Sequence, residues 1–255
     1  MGQNPGPRRE DLNLSGSLSM RLVDIGGMSV FFVFQYLLAR EVWAGLQLHP
    51  SAWGWLIPLA TVGGYLWADF VSGFVHFLAD NFGSVRTPFL GPVFFRTFRE
   101  HHVDPLAITR HDFFEVNGAN CVISIPFVVA TWLWVPVSTN LAGLAFGAFM
   151  LLFLMGIFAT NQFHRWAHLP DPPRWIVRLQ ATGLILGKAH HQRHHTPPFD
   201  TYYCITSGLC NPILSRLRFF ETLKEPLGRV LEPLIGEAEE VDLGEGVGEI
   251  DRPAA

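Results

Sequence analysis

The sequence predicts an all-α integral membrane fold: a four-helix bundle crossing the bilayer, a histidine-rich cap on its cytosolic face and one helix lying in the interface. Three observations carry this reading. Only 16% of the 255 residues are charged and 49% are apolar, against about 25% charged in a soluble domain, so much of the surface is built for lipid. Four apolar stretches approach the roughly 20 residues that a helix needs to cross a hydrocarbon core. Nearly all of the 11 histidines fall in short clusters that the topology brings to one membrane face.

The segment 1–20 is polar and rich in Pro and Gly. It lacks the basic-then-apolar order of a signal peptide and is expected to be disordered. The spans are expected near 22–38, 55–78, 121–137 and 141–160. Between the second and third lie Arg86, Arg96, Arg99 and Arg110; after the fourth come Arg165, Arg174, Arg178, Lys188 and Arg193. The opposite loops, 41–54 and 138–140, hold no Lys or Arg. The positive-inside rule puts the long loops and both termini in the cytosol, at the inner membrane of a bacterium or the endoplasmic reticulum of a eukaryote. The stretch 174–187 is apolar, short and flanked by bases, and reads as an interfacial helix; a fifth span there would carry the histidines that follow to the wrong side.

The membrane domain is assigned to 21–225 and an acidic, disordered tail to 226–255. Seven acids between 237 and 252 face Arg252 alone, giving that stretch −6 of a total of −4 and leaving the rest near +2. No nucleic-acid footprint is present. Cys121, Cys204 and Cys210 form no CxxC pair, which argues against a disulfide framework or a thiolate metal site.

The chemistry is expected in the histidines. His76 and Asp80 are spaced i,i+4 and share a helix face, with Asp69 two turns earlier on the same stripe. A carboxylate inside a span needs a partner or a wet cavity. His101 and His102 are adjacent and point about 100° apart on a helix, so both serve one site only if it is wide or holds two metals. His111 adds a further candidate beside Asp112. His164 and His168 are again i,i+4, with Asn161 on their face, placed to approach a metal through water. His190, His191, His194 and His195 form the densest cluster. His49 alone lies on the far side.

Imidazole suits Zn, Cu, Fe and Ni, whereas a structural zinc normally takes four ligands with some Cys. About nine histidine-rich candidates fit two metals of five or six ligands. Two irons with open positions for dioxygen meet that description; a zinc pair meets it on ligand chemistry alone. Metals at the membrane surface can meet a lipid tail entering between helices. A transporter would need ligands along the spans, and only Asp69 lies deep; a b-type cytochrome would need facing histidine pairs inside the spans.

The repeated boxes, with the HxxHH of His191, His194 and His195, resemble the membrane di-iron desaturase and hydroxylase superfamily. DFVSGFVHFLADNFGS at 69–84, FREHHVDP at 98–105, ITRHDF at 108–113, EVNGANC at 115–121, and HHQRHH at 190–195 followed by TYYCIT at 201–206 look like the Kua family of plasmanylethanolamine desaturases. The similarity runs from about Asp69 to Phe220. It implies a non-haem centre of two Fe ions and a substrate of 1-O-alkyl ethanolamine phospholipid desaturated at C1 and C2 to a plasmalogen vinyl ether. Dioxygen and a separate electron donor of cytochrome b5 or ferredoxin type are implied with it. The carried-over ligands are His76, His101, His102, His164, His168, His191, His194 and His195, with Asp80 and His190 joining them or supporting them, and His111, Asn161 and Asp69 as additional or outer groups. Two positions depart from the superfamily: Phe98 stands where the second box would begin with histidine, and Asp80 where the first would end with one. A fatty-acyl desaturase and a lipid or carotenoid hydroxylase are the alternatives on the same scaffold, and a metal transporter is a more distant one.

Overall fold

A computed structural model of the chain describes residues 18–84, 87, 91–95, 98, 101–102 and 104–236. Arg86, Arg96, Arg99, the segment 1–17 and the acidic stretch from 237 onward lie outside the described residues. The described chain is all-helical. Its elements are α1 (Leu18–Leu48), α2 (Trp53–Asn81), α3 (Ala107–Arg110), α4 (Phe113–Trp134), α5 (Leu141–His168), α6 (Arg174–Ala181), α7 (Lys188–His191), α8 (Asn211–Arg216) and α9 (Phe219–Ile235).

Local signals set the helix ends. The Asp112 carboxylate accepts from Phe114 N and Glu115 N at 2.9 and 3.1 Å and caps α4; Asn140 Oδ1 accepts from Gly143 N at 2.8 Å and caps α5. Each cap satisfies N–H groups that a first turn leaves unpaired.

Among the described residues, α1, α4 and α5 are long and apolar enough to cross a membrane. α2 is long enough as well, at 29 residues, but Trp53, Trp55, Trp67 and Asp69 lower its mean hydropathy. α5 is the hub: it packs on α1, α2 and α4, and α1 packs on α4. Their shared core contains Phe31, Leu38, Leu56, Val128, Leu144 and Leu154. Gly64 lets α2 approach α5 closely, since a Cβ there would stand 2.8 Å from Phe153 N. Exposed Trp43, Trp53, Trp55 and Trp134 gather where α1 and α4 end and α2 begins, the position that amphipathic indoles take at a membrane interface.

Several expected boundaries shift. α1 runs ten residues past 38, and α4 starts eight before 121, because amphipathic turns continue the apolar core beyond the hydrocarbon-length stretch. α5 continues to His168, so His164 and His168 belong to the span's own helix. The helix expected over 174–187 stops at Ala181, where Gly183 takes a φ of +72° and turns the chain. α9 continues to Ile235, ten residues into the stretch expected to be tail. Leu223, Leu227, Leu231 and Ile235 recur at helical spacing and pack on Phe77, Phe82, Tyr203 and Phe220, which gives this segment the buried face that an acidic tail lacks.

Candidate metal centre

The histidines meet at the end of the helices opposite those tryptophans. α2 supplies His76 and Asp80, α5 supplies His164 and His168, the segment between α2 and α3 supplies His101 and His102, and α7 with its following turn supplies His191, His194 and His195. The last cluster is not one helical stripe. α7 ends at His191, and His194 N and His195 N both bond back to His191 O in the turn beyond.

Two groups of ring nitrogens form. In the first, His164, His168 and His191 place their Nε2 atoms in a triangle with edges of 2.9, 3.0 and 2.9 Å, and His195 Nε2 lies 3.0 Å from His191 Nε2. This is the all-imidazole half. In the second, His102 Nε2 lies 3.1 Å from Asp80 Oδ1 and 3.3 Å from His194 Nε2, while His76 Nε2 and His194 Nε2 each lie 3.4 Å from Asp80 Oδ2. This is the carboxylate half. His101 stands between them, its ring centroid 4.4 Å from that of His102 and 4.9 Å from that of His164. It joins both candidate ligand groups: His76, His101, His102 and His194, and His101, His164, His168 and His195, in each of which the offered atoms lie within 4.8 Å of one another.

The donor set fits metal ions. Imidazole nitrogens bound at about 2.1 Å and a right angle apart lie about 3.0 Å from each other, the spacing of the triangle. Hydrogen bonds alone cannot satisfy all three edges, because each Nε2 of a neutral imidazole is either a donor or an acceptor. His76 Nε2 and His101 Nε2 are buried without a hydrogen-bond partner among the described residues, a cost that a bound cation removes. Burial, reinforced by neighbouring histidines, pushes His101, His191 and His195 below the ordinary histidine range. They therefore stay neutral with lone pairs free, the form that ligates.

Backbone carbonyls fix two tautomers. His76 Nδ1 donates to Tyr203 O at 3.1 Å and His194 Nδ1 to Thr201 O at 2.9 Å. Both Nε2 lone pairs are then turned toward the centre, an outer arrangement typical of ligating histidine. The Tyr203 ring packs 5.1 Å from that of His194, and Phe98 lies 5.2 Å from His76, so apolar rings wall this half. Phe98 thus contributes a wall where a box histidine would stand.

Four expected residues lie elsewhere. His190 Nε2 is 3.1 Å from Asn211 Nδ2, and its ring rests on Tyr202; adjacency on α7 turns it about 100° from His191. His111 Nδ1 pairs with Glu115 at 2.8 Å. Asn161 Nδ2 donates to Val116 O at 2.9 Å, tying α5 to α4. Asp69 accepts the N–H groups of Ser207, Gly208 and Cys210. The carbonyls of Thr201 and Tyr203 escape any reading of residue types, because a backbone carbonyl has no sequence signature. The run at 201–206 directly after the last histidines was the available signal.

A lipid desaturase domain model matches residues 65–237. A plasmanylethanolamine desaturase of Myxococcus xanthus is 44% identical over 207 residues, covering 81% of this chain and 71% of the relative. Plasmanylethanolamine desaturase 1 of Mus musculus is 40% identical over 191 residues, covering 73% and 69%. The chloroplastic fatty acid desaturase 4 of Arabidopsis thaliana is 34% identical over 207 residues, covering 80% of this chain and 60% of the relative. No solved structure matches.

Proposed function

From the premise that this chain belongs to the lipid desaturase family, and is a metal-dependent oxidoreductase, we propose that it forms the vinyl-ether bond of plasmalogens from 1-O-alkyl ethanolamine phospholipids. The observation that carries the reading is the convergence of nine buried or half-buried ligand side chains at one end of apolar helices in a chain 44% identical to a plasmanylethanolamine desaturase. One hydrogen leaves C1 and one leaves C2 of the alkyl chain. Dioxygen becomes two waters, taking those two hydrogens with two protons and two electrons from a separate cytochrome b5 or ferredoxin.

Two irons would be held, one by His164, His168, His191 and His195 and one by His76, Asp80, His102 and His194, with His101 between. When bound, they supply the dioxygen chemistry that breaks unactivated C–H bonds, which side chains do not. The protein's own residues do the rest. Tyr203 O and Thr201 O hold the Nδ1 protons of His76 and His194, keeping both rings aimed. Phe98 and Tyr203 exclude water from the carboxylate half, which protects the chemistry from side reactions. Asp80 offsets cationic charge that a purely imidazole site would leave uncompensated. α2 serves as the fourth span of the bundle, α6 lies in the interface, and the histidine end faces the cytosol, as the arginines of the long loops favour.

The test is lipid mass spectrometry of cells fed a 1-O-alkyl ethanolamine phospholipid, with and without the protein, alongside iron analysis of purified protein. An acid-labile product two hydrogens lighter, with iron in the protein, is expected; alkyl lipid unchanged in expressing cells would sink the reading. The Arabidopsis relative named fatty acid desaturase 4 supports acyl desaturation as a second reading, under which mass spectrometry would find the new double bond on an acyl chain and no vinyl ether. A hydroxylase would instead add one oxygen.

A further inference from the structure

Residues 201–211 reach the centre through their backbone. Tyr203 O and Thr201 O hold His76 and His194, so the height of this stretch against α2 sets where two rings of the carboxylate half point. Two buried polar side chains that the chemistry does not use fix that height.

Asn211 is 1% exposed and, besides its contact with His190, brackets Cys204 with both ends of its amide. Cys204 N donates to Oδ1 at 2.8 Å, and Nδ2 donates to Cys204 O at 2.9 Å, as a neighbouring strand would. Asp69, fully buried, accepts from Ser207 N and Gly208 N on Oδ1 at 2.7 and 2.8 Å and from Cys210 N on Oδ2 at 2.9 Å. Three N–H donors compensate a carboxylate that would otherwise be costly at this depth. They also hold the loop carrying Asn211 to α2. Ser72 Oγ accepts Ile205 N at 3.1 Å on the same helix face. Gly73 allows the approach, because a Cβ there would stand 2.4 Å from Cys204 Sγ and 2.9 Å from Cys204 N.

We propose that Asn211, held by Asp69, is the positioning residue of the carboxylate half, acting on His76 and His194 through the backbone of 201–205. The all-imidazole half takes no tautomer contact from this stretch among the described residues, so its metal binding is independent of Asn211. The inference rests on the reading that the two histidine groups hold metals.

The full chain in lipid nanodiscs, stripped with chelator, is titrated with cobalt(II) and followed by visible absorption. Two binding steps are expected. His194→Ala removes the step of the carboxylate half and His168→Ala the other, which assigns them. Asn211→Asp keeps the acceptor for Cys204 N and loses both donors. It should weaken the carboxylate-half step by about tenfold or more, the lower range for loss of an outer partner, and leave the other step within about twofold. His190→Ala removes the Asn211–His190 contact together with the packing on Tyr202, spares the Asn211–Cys204 pair, and should leave both steps unchanged. If Asn211→Asp does not accumulate folded, Ser72→Ala is titrated instead and should show the same selective loss. Equal weakening of both steps, or of neither, overturns the proposal; so does His190→Ala reproducing the loss. No cobalt uptake by the unaltered chain overturns the metal reading itself.

Discussion

The all-imidazole half takes its geometry from helix periodicity. His164 and His168 are one turn apart on α5, and His191 ends α7 with His195 a turn beyond it, so four rings converge from two short stretches. The carboxylate half draws His76 and Asp80 from α2, His102 from residues at 98–102 and His194 from the turn after α7, and sets two of its rings by carbonyls of the 201–203 segment. The first half is local and, among the described residues, carries no carboxylate; the second is assembled from distant parts of the chain and includes one. The two candidate metal sites, which share His101, therefore depend on different parts of the fold.

Removing a ligand from either half tests whether both serve one reaction. His168→Ala and His194→Ala should each lower desaturation by more than about 100-fold, beyond the usual cost of an outer partner, and each should halve the iron per chain. Activity above a tenth of the original in either variant would break the pairing of the halves. Asp80→Asn comes next. It preserves shape and removes the charge that His102 and His194 face, so activity should fall about 10- to 100-fold. Dialysis against a chelator should then strip the carboxylate half first. Simultaneous loss of both metals would show that charge is shared across His101.

This asymmetry also explains what could be read from residues alone. His164, His168, His191 and His195 announce themselves by i,i+4 spacing and the HxxHH box, and the spans by apolar length. Asp80 is visible only as a partner one turn from His76. What joins His102 to Asp80 across 22 positions, or Tyr203 to His76 across 127, is tertiary packing, which no local pattern encodes. His190 shows the reverse: composition groups it with the ligands, but its place on the first turn of α7 points it at Asn211. The α9 boundary moved for a related reason, since its charged residues hide an apolar stripe at Leu223, Leu227 and Leu231.

Acid should act on the metal-free protein through the loop histidines of both halves. His101, His191 and His195 are held below the ordinary histidine value by burial, so in the folded chain they stay neutral while the unfolded chain takes up protons below about pH 6.5. Stability then falls as pH drops through that value, by about 1.4 kcal/mol per pH unit for each such group, and is flat above it. The melting midpoint of stripped protein should decline between pH 7 and 5. Saturating metal should raise the midpoint throughout and leave that slope in place, since the folded imidazoles are unprotonated with or without metal while the unfolded chain still takes up protons. A midpoint that rises on acidification would mean that the cluster takes up protons in the folded state and that the burial of these rings is incomplete.

The smallest effect is expected at His111, which marks the outer limit of the centre. Its Nδ1 pairs with Glu115 at 2.8 Å on the first turn of α4, where the neighbouring Asp112 already caps the helix through two backbone N–H groups. Removing the imidazole therefore leaves the cap in place and touches neither nitrogen group. A partly exposed pair of this kind contributes about 1 kcal/mol or less. His111→Gln should keep both metals and hold activity within about twofold, with a small drop in melting midpoint that Glu115→Gln reproduces. Loss of one metal in His111→Gln, measured as iron per chain, would extend the carboxylate half or the all-imidazole half by a ligand and remove the boundary between centre and scaffold at α4.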